Sequence, residues 1–359
     1  MGLRLHPDCL HYAHLQDGRN VWFRDLTDCP AHARESSTRG VCMKIELELA
    51  AQRLREHDKI LILTHKNPDG DTLGSGFGLY YGLKQLGKQV YLRNSDELPA
   101  KFSYFYDSQM TAEFEPDYIV SVDVGDTKLL GTKLEQYADK IDLCIDHHVS
   151  NTLYAKETYL DGAASSVSEI LFFLLELLGI WFDEQIANCL YTGLVTDTGC
   201  FKFSNTGVKT HLAAARLIEF GADYERINRD MFETKSFARI ALERMVLDGM
   251  EFYFDRRCAY VLVTRAMMEE AGADYTTFDG ISAITRQIEG VDVGLTLREI
   301  GADDYKISVR TSAAVNASEL CRKFDGGGHV RAAGCTLKGN IADVKRKLLA
   351  AAQEMLGSR

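Results

Sequence analysis

Apolar positions in the first two thirds of the chain fall in short unbroken runs rather than in strict alternation. Ile60-Leu61-Ile62-Leu63, Tyr118-Ile119-Val120 and Leu143-Cys144-Ile145 are examples. Runs of this length are those of strands covered on both faces. Between them, apolar residues recur at helical spacing. The pattern predicts helices near 44–57, 71–87, 165–179 and 183–195, and strands at 59–65, 89–94, Asp117–Val124 and Ile141–Ile145. Such alternation indicates an α/β fold, a mostly parallel sheet with helices on both faces. Sheets of this kind bind ligands outside the carboxyl ends of their strands.

Beyond residue 245 the pattern changes. Paired strands (251–256 with 259–264, and 291–300 with 304–311) and helices near 279–288, 316–323 and 341–356 predict a smaller α+β domain. The charged stretch 223–245 has helical periodicity and is expected to be a connecting helix with a solvated face. Residues 1–42 show little periodicity and hold His6, His11, His14, His32, Cys9, Cys29 and Cys42. Their spacing matches no common zinc finger, so a loosely ordered extension is expected, with Met43 an alternative start. The expected organisation is an extension over 1–42, a catalytic domain over 43–222, the connecting helix over 223–245 and a substrate-binding domain over 246–359, with the active site in the cleft between the two domains.

Composition narrows the choice of substrate. A net charge of −11 argues against tracking long nucleic acid with a wide basic surface and favours a small anionic substrate held by cations and local arginines. The nine cysteines form no C-x-x-C pair and are expected to be reduced, consistent with a cytoplasmic protein. No apolar run approaches the ~18–20 residues that cross a bilayer, so no membrane association is expected.

Four groups of metal-type side chains follow apolar runs. Thr64-His65-Lys66-Asn67-Pro68-Asp69-Gly70-Asp71 closes the first strand; Ser121-Val122-Asp123-Val124-Gly125-Asp126 closes another; Asp146-His147-His148 closes a third; and Thr196-Asp197-Thr198-Gly199 ends a helix. A single Asp after a strand is an ordinary turn or cap residue. Four such groups together supply enough imidazole and carboxylate for two divalent cations, and a nitrogen and oxygen set without thiolate suits Mn²⁺ or a similar ion. Burying so many ionisable groups is costly unless they are paired or coordinated.

In this order the four groups resemble the motifs of the DHH phosphoesterase superfamily, and Phe324-Asp325-Gly326-Gly327-Gly328-His329 with Ala332-Ala333-Gly334 resembles the glycine-rich signature of the DHH-associated C-terminal domain. The resemblance covers about residues 43–340 and is nearest the NrnA-like subgroup. It implies hydrolysis of short oligoribonucleotides (nano-RNA) and removal of the 3′-phosphate of adenosine 3′,5′-bisphosphate, by activation of water at two Mn²⁺ ions. His65, Asp69 and Asp123 would hold one ion, and Asp71, Asp123, His147 and Asp197 the other. Asp146 would orient the neighbouring imidazoles, and His148 would face the phosphate. Gly326, Gly327, Gly328, His329, Arg310 and Ser312 would bind the substrate, with Arg286 and Arg331 as weaker candidates. A homodimer is implied as well.

The residues leave rivals open. With the same chemistry the substrate could be pApA or cyclic di-AMP. A pyrophosphatase or polyphosphatase is disfavoured by the Gly326–Gly334 signature, a RecJ-like exonuclease by the short acidic chain, and a non-catalytic nucleotide-binding regulator by the complete ligand set. Phe201, Phe203, Asn205 and Thr206 follow Asp197 and either line the cleft or form an aromatic core edge.

Overall fold

A computed structural model describes residues 11–14, 20–23, 43–106, 114–278, 280–312 and 314–357. The chain divides after Tyr224 into two compact units. The zinc alternative for the N-terminal histidines and cysteines concerns side chains outside those described. A short antiparallel pair, β1 (His11–His14) and β2 (Asn20–Phe23), comes first.

The first unit is built on six strands: β3 (Met43–Lys44), β4 (Ile60–Leu63), β5 (Val90–Arg93), β6 (Tyr118–Val122), β7 (Leu143–Asp146) and β8 (Glu157–Leu160). Their order is β3-β8-β7-β6-β4-β5, and every pairing is parallel. All four residues of β4 are fully buried, the signature of a strand covered on both sides. Leu61, Leu63, Ile119 and Cys144 pack with Leu130 and Leu134, from a segment of short 3₁₀ turns. The helices α1 (Leu47–Glu56), α2 (Gly70–Gln85), α3 (Val167–Leu177), α4 (Glu184–Asp197) and α5 (Val208–Glu219) complete the unit. His57 is the C-cap of α1 and stacks on Tyr118 with ring centroids 4.0 Å apart.

Close approach of α2 to α4 explains the glycines at 70, 74 and 78. A Cβ on Gly74 would lie 2.4 Å from the Cys189 carbonyl oxygen, one on Gly78 2.5 Å from a Leu190 methyl, and one on Gly70 2.2 Å from the Thr196 hydroxyl. Gly76 faces the sheet, where a Cβ would lie 2.8 Å from both Leu92 and Thr64. The glycines therefore seat α2 against both the sheet and α4, and α2 carries Asp69 and Asp71 at its start.

The division falls within α6 (Tyr224–Asn228), and the segments from there correct the expectation of one connecting helix over 223–245. A wider turn follows over Arg229–Glu233, closed by Thr234 N–H to the Arg229 carbonyl, and then α7 (Phe237–Asp248). Leu242 and Val246 of α7 are buried against Val261, Val263 and Ile281, so this helix is part of the second unit's own core. The strands are β9 (Glu251–Tyr253), β10 (Cys258–Val263), β11 (Val293–Gly301), β12 (Asp304–Thr311), β13 (Gly327–Gly328) and β14 (Ala332–Lys338), in the order β13-β14-β12-β11-β10-β9. Only β10 with β11 is parallel, which requires a crossover. The short helices α8 (Arg265–Ala271), α9 (Tyr275–Phe278) and α10 (Ile281–Ile284) provide it. The other sheet face packs on α11 (Ala317–Arg322) and α12 (Ile341–Leu356) through Leu320, Val344 and Leu348.

Candidate metal centre

The carboxyl ends of β4, β6 and β7 lie side by side, and each passes directly into one of the singled-out groups. His65 follows β4. Asp123 follows β6 with its backbone in the left-handed region at φ +59°, a conformation that costs a non-glycine residue about 1–2 kcal/mol. Asp146 ends β7, and His147 and His148 follow it. Asp69 caps α2, its Oδ1 accepting from the N–H groups of Asp71 and Thr72, both at 3.1 Å. Asp197 closes α4.

These elements bring seven side chains together. Nε2 of His65 lies 3.5 Å from Asp123 and 3.6 Å from Asp69. Nε2 of His147 lies 3.7 Å from Asp123 and 3.6 Å from Asp197. Three overlapping sets have donor atoms within 4.8 Å of one another: His65, Asp69 and Asp123; Asp71, His147 and Asp197; and Asp123, His147 and His148. Asp123 thus stands between two imidazoles, at 3% exposure. Its Oδ1 is buried with no hydrogen-bond partner among the described residues. A buried carboxylate oxygen left bare is costly, and a divalent cation supplies what it lacks. The donor set fits one.

Both ring orientations agree. Nδ1 of His65 is 2.8 Å from the Lys66 carbonyl oxygen, and Nδ1 of His147 is 3.3 Å from that of Ala164. With the proton on Nδ1 donated to a carbonyl, each Nε2 presents its lone pair to the carboxylates. Asp71 is held differently: its two oxygens accept from Val167 N–H at 2.7 Å and Ser168 N–H at 2.9 Å, at the start of α3.

Asp146 orients one imidazole, not both. Its Oδ1 is 2.8 Å from Nδ1 of His148 and also accepts the His147 backbone N–H, whereas the His147 ring is fixed by Ala164. Asn151, which sequence reasoning missed, fixes Asp146 in turn by donating to its Oδ2 at 2.6 Å.

The electrostatics describe crowded negative charge. Burial, then repulsion from Asp71, pushes the Asp123 carboxyl well above the ordinary range. Burial followed by Asp71 and Asp69 pushes Asp197 up to about 8. Burial works against a charged His65 ring, but Asp123 and Asp69 outweigh it and lift the ring to about 11. Asp146 raises His148 to about 9. Without cations, protons gather where positive charge is needed.

In the second unit, the glycine loop is shaped by close backbone contacts. A Cβ on Gly326 would lie 2.4 Å from the Gly334 carbonyl oxygen, and one on Gly328 2.7 Å from that of Ala332, whereas Gly327 faces open space. His329 is exposed and closes a tight turn with Ala332. The Ser312 hydroxyl donates to Asp292 at 2.6 Å, and Arg331 donates to the carbonyls of Ser312 and Val315. Half-buried Arg310 sits on β12, paired across from Ala332. A groove of about 670 Å³ runs along the loop past Lys306, Phe324, Gly326 and Thr336, and its lining does not include Arg310, Ser312 or His329.

Phe201 stacks on His211 at 5.0 Å, and Phe203 lies over Gly199. Gly199, Cys200 and Phe201 all have positive φ, at 56°, 57° and 61°. Three consecutive left-handed residues, one of them aromatic, begin two positions after Asp197 and are strained backbone of the kind that gathers at functional sites.

A parallel sheet with a histidine and aspartate cage at its carboxyl edge, followed by a mixed-sheet unit with a glycine loop, defines a metal-dependent phosphoesterase of two domains. The model of the DHH family N-terminal domain matches residues 59–194, and that of the DHHA1 domain matches residues 259–358. The chain belongs to the DHH family, among the members that carry a DHHA1 domain. It is 33% identical over 321 residues to the bifunctional oligoribonuclease and PAP phosphatase NrnA of Thermus thermophilus, spanning 87% of this chain and 94% of that protein. It is 26% identical to the protein of the same name from Bacillus subtilis, over 82% of this chain and 93% of that one. Among solved structures, an exopolyphosphatase-related protein from Bacteroides fragilis superimposes with a TM-score of 0.78 at 26% identity, over 86% of this chain and 96% of that one. The α/β expectation and the family resemblance are thereby borne out. No helix among the described residues is long and apolar enough to cross a membrane.

Proposed function

We propose that the protein is a cytoplasmic hydrolase of phosphoester bonds that shortens very small oligoribonucleotides to mononucleotides and removes the 3′-phosphate of adenosine 3′,5′-bisphosphate, using two Mn²⁺ ions. The observation that carries this reading is the bare, buried Asp123 carboxylate between His65 and His147. Similarity over most of the chain to relatives named for these two activities supports the choice of substrate.

In this reading His65, Asp69 and Asp123 hold one cation, and Asp71, Asp123, His147 and Asp197 the other. When bound, a pair of divalent ions acidifies water and neutralises charge on phosphoryl oxygens. The protein's own residues do the rest. The carbonyls of Lys66 and Ala164 keep the two imidazoles in the tautomer that offers Nε2. Asn151 and Asp146 fix His148 through Nδ1, leaving its Nε2 to donate to a phosphate oxygen. Arg310, Ser312, His329 and the backbone N–H groups of Gly326, Gly327 and Gly328 are assigned to substrate binding, because glycine lets an anion approach the main chain.

The test is one panel of assays with Mn²⁺ and with chelator, offering adenosine 3′,5′-bisphosphate, a ribodinucleotide, pApA, cyclic di-AMP, a twenty-mer RNA and pyrophosphate. Turnover of the bisphosphate and the dinucleotide, with little on the twenty-mer, is expected. Exclusive turnover of pyrophosphate would overturn the reading.

A further inference from the structure

The mechanism makes no use of Glu169, although it is a carboxylate with only 4% exposure. Its Oε2 accepts from the Ser165 hydroxyl at 2.6 Å and the Thr210 hydroxyl at 2.7 Å. Thr210 belongs to the first turn of α5, where its hydroxyl also accepts the Gly207 N–H at 3.0 Å. Ser165 adjoins Ser166, the N-cap of α3, the helix whose first N–H groups hold Asp71. One buried carboxylate therefore ties together the starts of two helices.

A second tie reaches Asp197. The side-chain amide of Asn205 donates to the Ser165 carbonyl at 2.9 Å and to the Asp197 carbonyl at 3.2 Å. Asn205 lies at the end of the strained turn that follows Asp197 and precedes α5. Contact beneath the site closes the loop: a Cβ on Gly193 would lie 2.8 Å from Asp71 Oδ1 and 1.9 Å from the Ser168 hydroxyl. Asp71 is thus wedged between the start of α3 and α4, the helix that ends in Asp197.

We propose that Glu169 and Asn205 are positioning residues that set the separation of the Asp71 and Asp197 carboxylates, acting through Ser165. Neither touches a side chain of the cage with its own carboxylate or amide. Glu169 fixes where α3 begins, and so where Asp71 is pulled; Asn205 fixes where the chain leaves Asp197. This rests on the divalent-cation reading of the same site. Residues that orient metal ligands from behind change metal affinity by about 10–100-fold when removed.

Calorimetric titration with Mn²⁺, Mn²⁺ electron paramagnetic resonance and thermal unfolding in chelator test this on wild type, Asn205→Ala, Glu169→Ala and Glu169→Gln. Asn205→Ala should weaken the tighter Mn²⁺ binding about tenfold and shift the spectrum from spin-coupled towards isolated ions, with unfolding in chelator unchanged. Glu169→Gln keeps an acceptor oxygen for the two hydroxyls, so it should retain most of the affinity that Glu169→Ala loses. Should Glu169→Ala not fold, Asn205→Ala and Glu169→Gln decide the matter against wild type. Wild-type affinity and spectrum in Asn205→Ala would overturn the positioning role while leaving the metal centre intact. A wild-type protein that binds no Mn²⁺ would overturn both.

Discussion

Replacing Gly74 by Ala tests whether close helix packing sets the metal cage. The new methyl would sit 2.4 Å from the Cys189 carbonyl oxygen and 2.9 Å from the Gly193 nitrogen, both backbone atoms of α4. Neither can rotate away, so α2 must move off α4 by about 1 Å to restore an ordinary contact. Overpacking of this kind costs about 1–3 kcal/mol, against about 1 kcal/mol gained from alanine's better helix propensity. A net loss of about 2 kcal/mol is expected for so unyielding a contact. The larger effect falls on catalysis, because α2 carries Asp69 and Asp71 while α4 carries Asp197. A displacement near 1 Å in a reacting constellation can cost ~10²-fold in rate. Gly78→Ala is the matched control: its methyl meets a Leu190 side chain that can change rotamer, so stability should stay within about 1 kcal/mol and activity within a few-fold. Urea unfolding and Mn²⁺-dependent hydrolysis of a dinucleotide measure both quantities. If Gly74→Ala matched Gly78→Ala in both, helix contact would not govern the cage.

Asp123→Ala should abolish turnover while leaving the chelated protein at least as stable as wild type, since it removes a buried carboxylate whose neighbours repel it; retained hydrolysis would exclude its shared role. In chelator, the groups pushed above their ordinary values (Asp123 and Asp197, with His65 and His148) bind protons in the folded state that they release on unfolding. Their contribution is complete at low pH and is lost as pH rises through the folded values of about 8 to 11. The melting temperature in chelator should therefore fall from pH 6 to pH 9, and saturating Mn²⁺ should flatten the decline; a flat chelated profile would contradict the charge arrangement. Asn151→Ala removes the donor behind Asp146, and nuclear magnetic resonance titration should then find His148 altered from its value of about 9, with turnover about tenfold lower.

Much of the cage was legible because its residues sit where apolar runs stop, and a run such as Ile60–Leu63 has few alternatives to a buried strand. The paired strands of the second unit were legible for the same reason. β8 was not, because Glu157-Thr158-Tyr159-Leu160 mixes polar and apolar residues and draws its partner from β7. The glycines at 74 and 78 fall inside a helix predicted over 71–87, and their purpose is seen only once α4 lies against them. Asn151 and Glu169 carry no local signal, and Asn205 shows only its closeness to Asp197. Each acts through hydrogen-bonded neighbours whose positions depend on the folded chain, and an isolated Asn or Glu has no periodicity to betray that. The expectation that Asp146 would serve both imidazoles failed for a geometric reason: adjacent rings diverge, and the carboxylate reaches only the second.

The cage draws its donors from His65 through to Asp197, so no short peptide of this chain contains them all. During synthesis, a ribosome must release nearly the whole first unit before any ion can be gripped by the complete set. The full set of donors can therefore assemble only late in that unit's synthesis, and a chain cut before Asp197 lacks part of it.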